Sequence, residues 1–482
     1  MDAISNFLFN VLIRIEWASI VYFLLVNSLY GVLLLSACAQ MRTHLLASRG
    51  ENLSRVLGSQ VAPHISVLAP AYEEAATITE SVRSLLALSY PNLELIVVND
   101  GSRDDTLQVL VDQFELVPVH PIYQELIPSQ PIKALYRSRS HPNLVVADKE
   151  NGGSKADAMN AGLNLATGDL VCAIDADTLI EPDALQRMVR PFLTGDKVIA
   201  AGGTIRLVNG SQVRRGRVLT NQAPRDPLVG FQVIEYIRAF LFGRLGWNGL
   251  GGNLIISGAF GLFRRDAMLR AGGYAHDALG EDMELIVKLR CQMYEEGRPH
   301  QVAFIPDPVA WTEAPDTLRG LSSQRDRWHR GLADVIWRYR HVFFNRRYGA
   351  MGMVVYPYFF FVELLAPVLE VVGLIVLVVG LAVGAVNGPF AALFFAAAYG
   401  YGLLLTMLSL LLEEIFYRRY QSWQDRVWLI TWTILENFGY RQLTVLWRLR
   451  GLVKFLLGQK GWGTMERRGF TLSPKPDNPP PL

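Results

Sequence analysis

Asp175-Ala176-Asp177 follows the apolar run Leu170–Ile174. Two carboxylates at i and i+2, on a turn leaving a strand, can face one pocket. A hard divalent cation carrying phosphates needs only one or two protein carboxylates, and such an ion neutralises a nucleoside diphosphate as it departs. The same tripeptide also makes an ordinary turn. Asn99-Asp100-Gly101-Ser102 ends an earlier apolar run; it has turn composition, and Asp100 could accept hydrogen bonds from a base or ribose. Gly152-Gly153-Ser154-Lys155-Ala156-Asp157 opens a helical pattern. There the glycines admit close backbone approach, the helix N-terminus favours anions and Lys155 adds charge; a plain helix cap uses the same residues. Glu281-Asp282 begins another helical stretch. Paired acids at that place complement the helix dipole; in the sharper reading Asp282, with Glu281 beside it, is a general base for an attacking hydroxyl.

The last station is Gln324-Arg325-Asp326-Arg327-Trp328. Gln324 and Arg327 are i and i+3 on one helix face, with Trp328 beside them. A guanidinium binds diphosphate oxygens, and an indole face stacks on an apolar ring surface. Leu321, Trp328, Leu332, Val335, Tyr339 and Val342 form a stripe at helical spacing on the same segment. Such a stripe, with many arginines around it, predicts an amphipathic helix lying on a bilayer surface.

These stations need a frame. Residues 62–345 alternate strand and helix patterns, with strands at Ile65–Ala69, Leu93–Val98, Asn143–Ala147 and Leu170–Ile174, and helices over 76–88, 105–114 and 154–166. The βαβα order predicts a parallel sheet covered by helices on both faces, with ligands at the strand C-termini. Residues 116–142 show no period and read as an inserted loop.

The chain has 482 residues, 51% hydrophobic and 19% charged, too apolar for an ordinary soluble enzyme. Its net charge of +2 implies no nucleic acid or other bulk polyanion as partner. The three cysteines, Cys38, Cys172 and Cys291, form neither a zinc spacing nor a redox pair. Ala18–Ala39 is an uncharged run long enough to cross a bilayer and is read as an uncleaved anchor. Arg42, Arg49 and Arg55 come soon after it and place the succeeding segment in the cytoplasm. Two further spans are expected over about 364–386 and 389–412, joined at Asn387-Gly388-Pro389, and Arg418 and Arg419 mark a return to the cytoplasm. The run 427–446 holds Glu436 and Arg441, each costly in lipid, and reads either as a span inside a bundle or as an in-plane helix. The expected organisation is an anchor (1–45), a cytoplasmic α/β domain (60–315), interfacial helices (316–361), a transmembrane region (362–458) and a basic cytoplasmic tail (459–482).

Taken together, Pro70-Ala71-Tyr72-Glu73-Glu74, Val98-Asn99-Asp100-Gly101, Gly153-Ser154-Lys155-Ala156-Asp157, Asp175-Ala176-Asp177, Gly280-Glu281-Asp282 and Gln324-Arg325-Asp326-Arg327-Trp328 resemble, in this order, the processive family-2 glycosyltransferases of bacterial membranes, the cellulose, hyaluronan, chitin and poly-N-acetylglucosamine synthases. The resemblance covers about residues 60–345 and the membrane layout around them. It implies a GT-A (Rossmann-like α/β) fold, a UDP-sugar donor, and Mg²⁺ or Mn²⁺ held mainly by Asp177 with Asp175. Asp100 and Tyr72 would contact the uridine, with Glu74 and Lys155 in the same donor-binding set. Gln324 and Arg327 would hold the diphosphate, Asp282 would be the base, and Trp328 would line the acceptor site. Ser257-Gly258-Ala259-Phe260 resembles the loop meeting the acceptor end, and Lys460-Gly461-Trp462 a segment that covers the active site. Gly280 stands where the cellulose enzymes have Thr, which leans towards the amino-sugar polymerases and UDP-GlcNAc; Ser154, inserted before Lys155, departs from their pattern. The implied activity is inverting, processive extension of a polysaccharide through the enzyme's own spans in the inner (plasma) membrane, among membrane lipids. The rivals are a transferase that glycosylates a lipid once, and a transport or scaffold subunit with a degenerate domain.

Overall fold

The computed structural model describes residues 2–50, 62–175, 178–214, 217–220, 222–384, 388–417, 420 and 422–459. Asp177 and the segment Lys460-Gly461-Trp462 lie outside the described residues.

Helix α1 (Asp2–Gly50) leads into a ten-stranded mixed sheet. Its strands are β1 (Ile65–Ala71), β2 (Leu93–Asn99), β3 (Leu116–Val119), β4 (Ile132–Ser138), β5 (Leu144–Lys149), β6 (Leu170–Ile174), β7 (Leu179–Ile180), β8 (Val198–Leu207), β11 (Phe260–Arg264) and β12 (Gln301–Thr312). The order across the sheet is β3-β4-β5-β2-β1-β6-β11-β8-β12-β7. A separate two-stranded ribbon pairs β9 (Gln212–Arg214) with β10 (Arg217–Thr220). The central run β5-β2-β1-β6 is parallel, as expected. The sheet as a whole is not parallel, because β11 runs antiparallel to both β6 and β8, and β4 antiparallel to β5.

The expected loop over 116–142 is also corrected. It contributes β3 and β4, an antiparallel pair at the sheet edge. Pro118, Pro121, Pro128 and Pro131 interrupt any hydrophobic period there, and an edge position tolerates a strand proline because one side of the ladder needs no donor.

Alternation along the central strands builds two apolar layers. Val67, Leu95 and Val97 face α2 (Ile78–Leu86) and α3 (Thr106–Phe114). Leu68, Ile96 and Val98 face α4 (Lys155–Leu165). Helix α4 reaches the sheet closely enough that a Cβ on Gly162 would lie 3.2 Å from Leu68.

After the central strands, α5 (Pro227–Arg238) runs on into a π-helical stretch, Ala239–Gly246, packed on α1. A Cβ on Gly246 would lie 2.5 Å from the Leu33 carbonyl oxygen. Then come α6 (Glu281–Glu295), α7 (Leu318–Arg338), α8 (Ala366–Ala382), α9 (Tyr401–Tyr417), α10 (Trp423–Leu435) and α11 (Tyr440–Leu456).

Two helical stretches among the described residues, Asn10–Ala47 and Gly388–Tyr417, are long and apolar enough to cross a membrane. A third forms if Met351–Leu364 and α8, which meet at a bend of 45°, are one span. The stretch 427–446 is not one helix: α10 and α11 are separated at a turn where Gly439 takes φ +90°. Its two charges are paired, Glu436 with Arg238 and Arg441 with Glu370.

Candidate active site

Strand β6 is buried along its whole length and releases the chain at Asp175. The Asp175 N–H donates to the Ala259 carbonyl at 3.3 Å. The Asp175 carboxylate accepts from Lys155 Nζ, which also donates to the Gly258 carbonyl at 3.1 Å. Lys155 is the first residue of α4, whose N-cap Ser154 accepts from the Asp157 N–H at 3.4 Å. One ammonium thus ties three of the predicted stations together: the Gly-rich helix start, the strand-end aspartate and the Ser257-Gly258 loop. Burial works against the Lys155 charge, but Asp175, Glu281 and Asp282 outweigh it and hold its pKa above the ordinary lysine value.

Glu281 and Asp282 start α6. Their placement against α7 depends on two glycines. A Cβ on Gly280 would lie 3.3 Å from the Gly331 Cα, and one on Gly331 would lie 3.1 Å from the Gly280 Cα. Backbone therefore meets backbone, and the acids come to rest beside the face of α7 that carries Gln324, Arg327 and Trp328. Asp282 Oδ1 accepts from the Met283 N–H at 2.8 Å. Burial pushes the Asp282 carboxyl above the usual carboxylate range, against the opposing pull of the Met283 N–H, Arg244 and Lys155. Burial, then the Asp282 charge, does the same to Glu281. A carboxylate made more basic and held in a cleft has the properties of a proton acceptor.

Within Gln324–Trp328 the residues divide. Gln324 is buried, and its Oε1 has no hydrogen-bond partner among the described residues. Trp328 is 45% exposed and opens on the cleft, with the Arg325 guanidinium 4.6 Å from its ring centre. Arg325 is buried and bonded to Glu235, which also accepts from the Tyr440 hydroxyl at 2.8 Å. Asp326 points away and accepts from Arg450 at 3.3 Å and Lys454 at 3.2 Å on α11, with Arg330 at 3.3 Å. The intervening pair Arg325-Asp326 therefore fixes the helix, while Gln324, Arg327 and Trp328 reach the cleft. The stripe predicted to face lipid is corrected: Leu321, Val335 and Val342 are fully buried. Beside them Arg325, Asp326 and Arg330 of α7 are also buried and are held in ion pairs.

One cavity of about 1170 Å³ is lined by Lys155, Asp175, Ser257, Gly258, Glu281, Asp282, Gln324, Arg327 and Trp328. Nine of the sequence-predicted residues therefore share a cleft. Tyr72, Glu74 and Asp100 are not on its wall. Tyr72 is exposed at the end of β1, beside Asp100 at the end of β2, where the Asp100 N–H donates to the Ala71 carbonyl at 2.9 Å. Glu74 accepts from the Thr77 hydroxyl at 2.6 Å and so serves the start of α2.

Sequence reasoning missed Lys149. It is fully buried at the end of β5 and bonded to both Asp100 and Asp157. With the Gly152 N–H, which donates to Asp100 Oδ1 at 3.1 Å, it fixes the Asp100 carboxylate. A lysine ending an apolar strand was the available signal. Arg244 was also missed; it lines the cleft, and burial lowers its pKa to about 10 while Asp282 pulls it up.

Among the described residues no three His, Cys, Asp or Glu side chains gather into a metal-binding group. Asp175, partly exposed on the cleft wall, fits a hard cation that takes most of its ligands from phosphate oxygens.

The family described as "Glycosyltransferase like family 2" matches residues 135–331, and "Glycosyl transferase family 2" matches residues 66–125. The poly-beta-1,6-N-acetyl-D-glucosamine synthase of Staphylococcus epidermidis is 28% identical over 274 residues, 57% of this chain and 56% of the relative. The synthase of the same name from Staphylococcus aureus (strain COL) matches to the same extent. The chain thus spans just over half the length of the curated relatives it matches. Among solved structures, the mannosyltransferase PcManGT from Pyrobaculum calidifontis, in complex with GDP-Man and Mn²⁺, superposes over 89% of this chain and 99% of its own, at a TM-score of 0.51 and 20% identity. The mixed sheet, the acids at its strand ends and the two matched segments agree: the chain belongs to glycosyltransferase family 2.

Proposed function

We propose that this protein transfers a sugar from a UDP-sugar, UDP-GlcNAc being favoured, onto the end of a growing polysaccharide and passes the product into its membrane region. The continuity of the cavity carries this reading. The space bounded by Asp175, Asp282 and Trp328 is also bounded by Asn27 of α1, Glu370 of α8, Thr406 of α9 and Thr444 of α11. Hydroxyl, amide and ion-paired groups inside a helical bundle suit a hydroxyl-rich chain and not a lipid tail.

In the reaction, Asp282 takes the proton of the acceptor hydroxyl, with Glu281 alongside keeping the local carboxylates basic. The freed oxygen attacks the anomeric carbon from the face opposite the diphosphate. The bond between that carbon and the leaving oxygen breaks, its electron pair stays on the diphosphate, and the configuration inverts. Arg327 and Gln324 hold the diphosphate oxygens. Trp328 presents its ring to the acceptor sugar, and Arg325 and Asp326 keep α7 in register. Asp100 and Tyr72, at neighbouring strand ends, take the nucleoside. Asp175 and Asp177 would hold a divalent ion, Mg²⁺ or Mn²⁺, which when bound offsets the charge developing on the diphosphate. Asp175 is already oriented by Lys155.

A donor screen tests the reading. Purified protein is supplied with UDP-GlcNAc, UDP-Glc and UDP-GlcA in turn, and UDP release is followed. Release with one donor, dependent on Asp282, is expected. No release with any donor overturns the transferase reading.

A further inference from the structure

Gly249, Gly251 and Gly252 fold the chain tightly over Trp247. The N–H groups of Leu250 and Gly252 donate to the Trp247 carbonyl at 3.1 and 2.9 Å. A Cβ on Gly252 would lie 2.1 Å from the indole ring, so only glycine allows this close cover. The loop is fastened from behind by Arg290 of α6, which donates to the carbonyls of Gly251 and Asn253, both at 2.9 Å. This backbone holds Trp247 and Asn253, each about 4% exposed, within the wall of the cleft.

Three polar atoms of these two side chains have no partner among the described residues: Trp247 Nε1, Asn253 Nδ2 and Asn253 Oδ1. Leaving a buried donor or acceptor unmatched costs about 1–3 kcal/mol per group, and buried polar groups in folded proteins are matched with few exceptions. A donor, a donor–acceptor amide and an aromatic ring edge-to-face with Tyr358 at 5.0 Å are together the equipment for a neutral, hydroxyl-rich ring. Asn253 lies four residues before Ser257, and Arg244, on the same wall, donates to the intervening Ile255 carbonyl.

We infer that Trp247 and Asn253 form a saccharide subsite that holds a sugar ring of the acceptor chain next to the transfer site, with the amide and the indole N–H bonded to ring hydroxyl or acetamido groups. The identity of the ligand rests on the transferase reading; the existence of the subsite rests on the unmatched atoms.

The test uses the full chain in lipid nanodiscs and calorimetric titration with two probes: tetrasaccharides of β-linked glucose and of β-linked N-acetylglucosamine, and UDP. Asn253→Ala and Trp247→Phe are each expected to weaken binding of at least one tetrasaccharide about tenfold or more, with UDP affinity unchanged. Because the amide has no partner to lose, Asn253→Ala should not lower the melting temperature, whereas an amide with a structural role would. Trp247→Phe keeps a six-membered aromatic ring and removes the pyrrole part of the indole with its N–H, so it carries the test should the alanine variant fail to fold. Tetrasaccharide binding equal to the parent protein's in both variants, or absent in the parent, overturns the subsite. Tetrasaccharide binding that depends on Asn253, in a protein that binds no UDP, upholds the subsite and overturns the transferase reading instead.

Discussion

Replacing Asp282 by Asn separates chemistry from binding and from stability. In the proposed reaction this carboxylate takes one proton, and a positioned general base contributes about 10²–10⁴-fold in rate, or roughly 3–5 kcal/mol of barrier. The Asn variant should lose that much kcat in a coupled UDP-release assay. Its UDP affinity should stay within about twofold by calorimetry, a shift of under ~0.5 kcal/mol, because Gln324, Arg327 and Asp100 are untouched. The fold should not suffer. Asn keeps an oxygen for the Met283 N–H and removes a charge that burial disfavours. The sign comes from the raised carboxyl pKa. Such a group favours the folded state while protonated, below its unfolded pKa, and loses that contribution as pH rises through the folded value. At neutral pH the ionised Asp282 therefore opposes folding, and the Asn variant should melt at or above the parent temperature. The difference should vanish in acid, where both forms are neutral. For the same reason the parent's kcat should fall with acidification at a pH above the ordinary aspartate range. An Asn variant with parent-like kcat refutes the assignment of the base. One that loses UDP binding or melts lower refutes the account of its environment.

Three further substitutions probe the supports of the site. Lys149→Met leaves the buried Asp100 and Asp157 without their common cation and should cost about 3–5 kcal/mol in denaturant unfolding, with weakened UDP binding in whatever fraction folds. Gly331→Ala forces a methyl group against the Gly280 backbone, 3.1 Å away; overpacking of about 1–3 kcal/mol and a fall in kcat larger than the change in donor KM are expected, because the acids and α7 are pushed apart. Glu436→Gln strips Arg238 of its buried partner and should destabilise the helical bundle by about 3–5 kcal/mol, while Arg238→Met combined with Glu436→Leu should recover most of that loss in thermal unfolding.

Much of the frame was legible because its signals are local. The strands at 65, 93, 144 and 170 are short apolar runs bounded by turn residues, and Asp100 and Asp175 directly follow two of them. The antiparallel insertion of β11 beside β6 left no such trace, since strand direction is decided by connections far apart in sequence. The edge strands β3 and β4 were hidden by prolines that an edge tolerates. Within Gln324–Trp328 the periodicity put Gln324, Arg327 and Trp328 together correctly. It could not show that Arg325 and Asp326 are held by Glu235, Arg450 and Lys454, residues 90 to 128 positions away. Glu436 and Arg441 looked costly in lipid for the same reason: their partners, Arg238 and Glu370, belong to other helices. The Trp247–Asn253 loop carries no periodic or motif signal, and Lys149 only its place at the end of an apolar strand; burial against unmatched or charged neighbours reveals both.

The proposed joining of sugar transfer to membrane passage in one cavity is tested most directly by product length and location. Protein is reconstituted in sealed vesicles with its α/β domain outward, and the donor found active in the screen is supplied externally. Long polymer inside the vesicles, protected from an added glycoside hydrolase, is the predicted result. A single sugar on a lipid, or polymer fully exposed to the hydrolase outside, would contradict it.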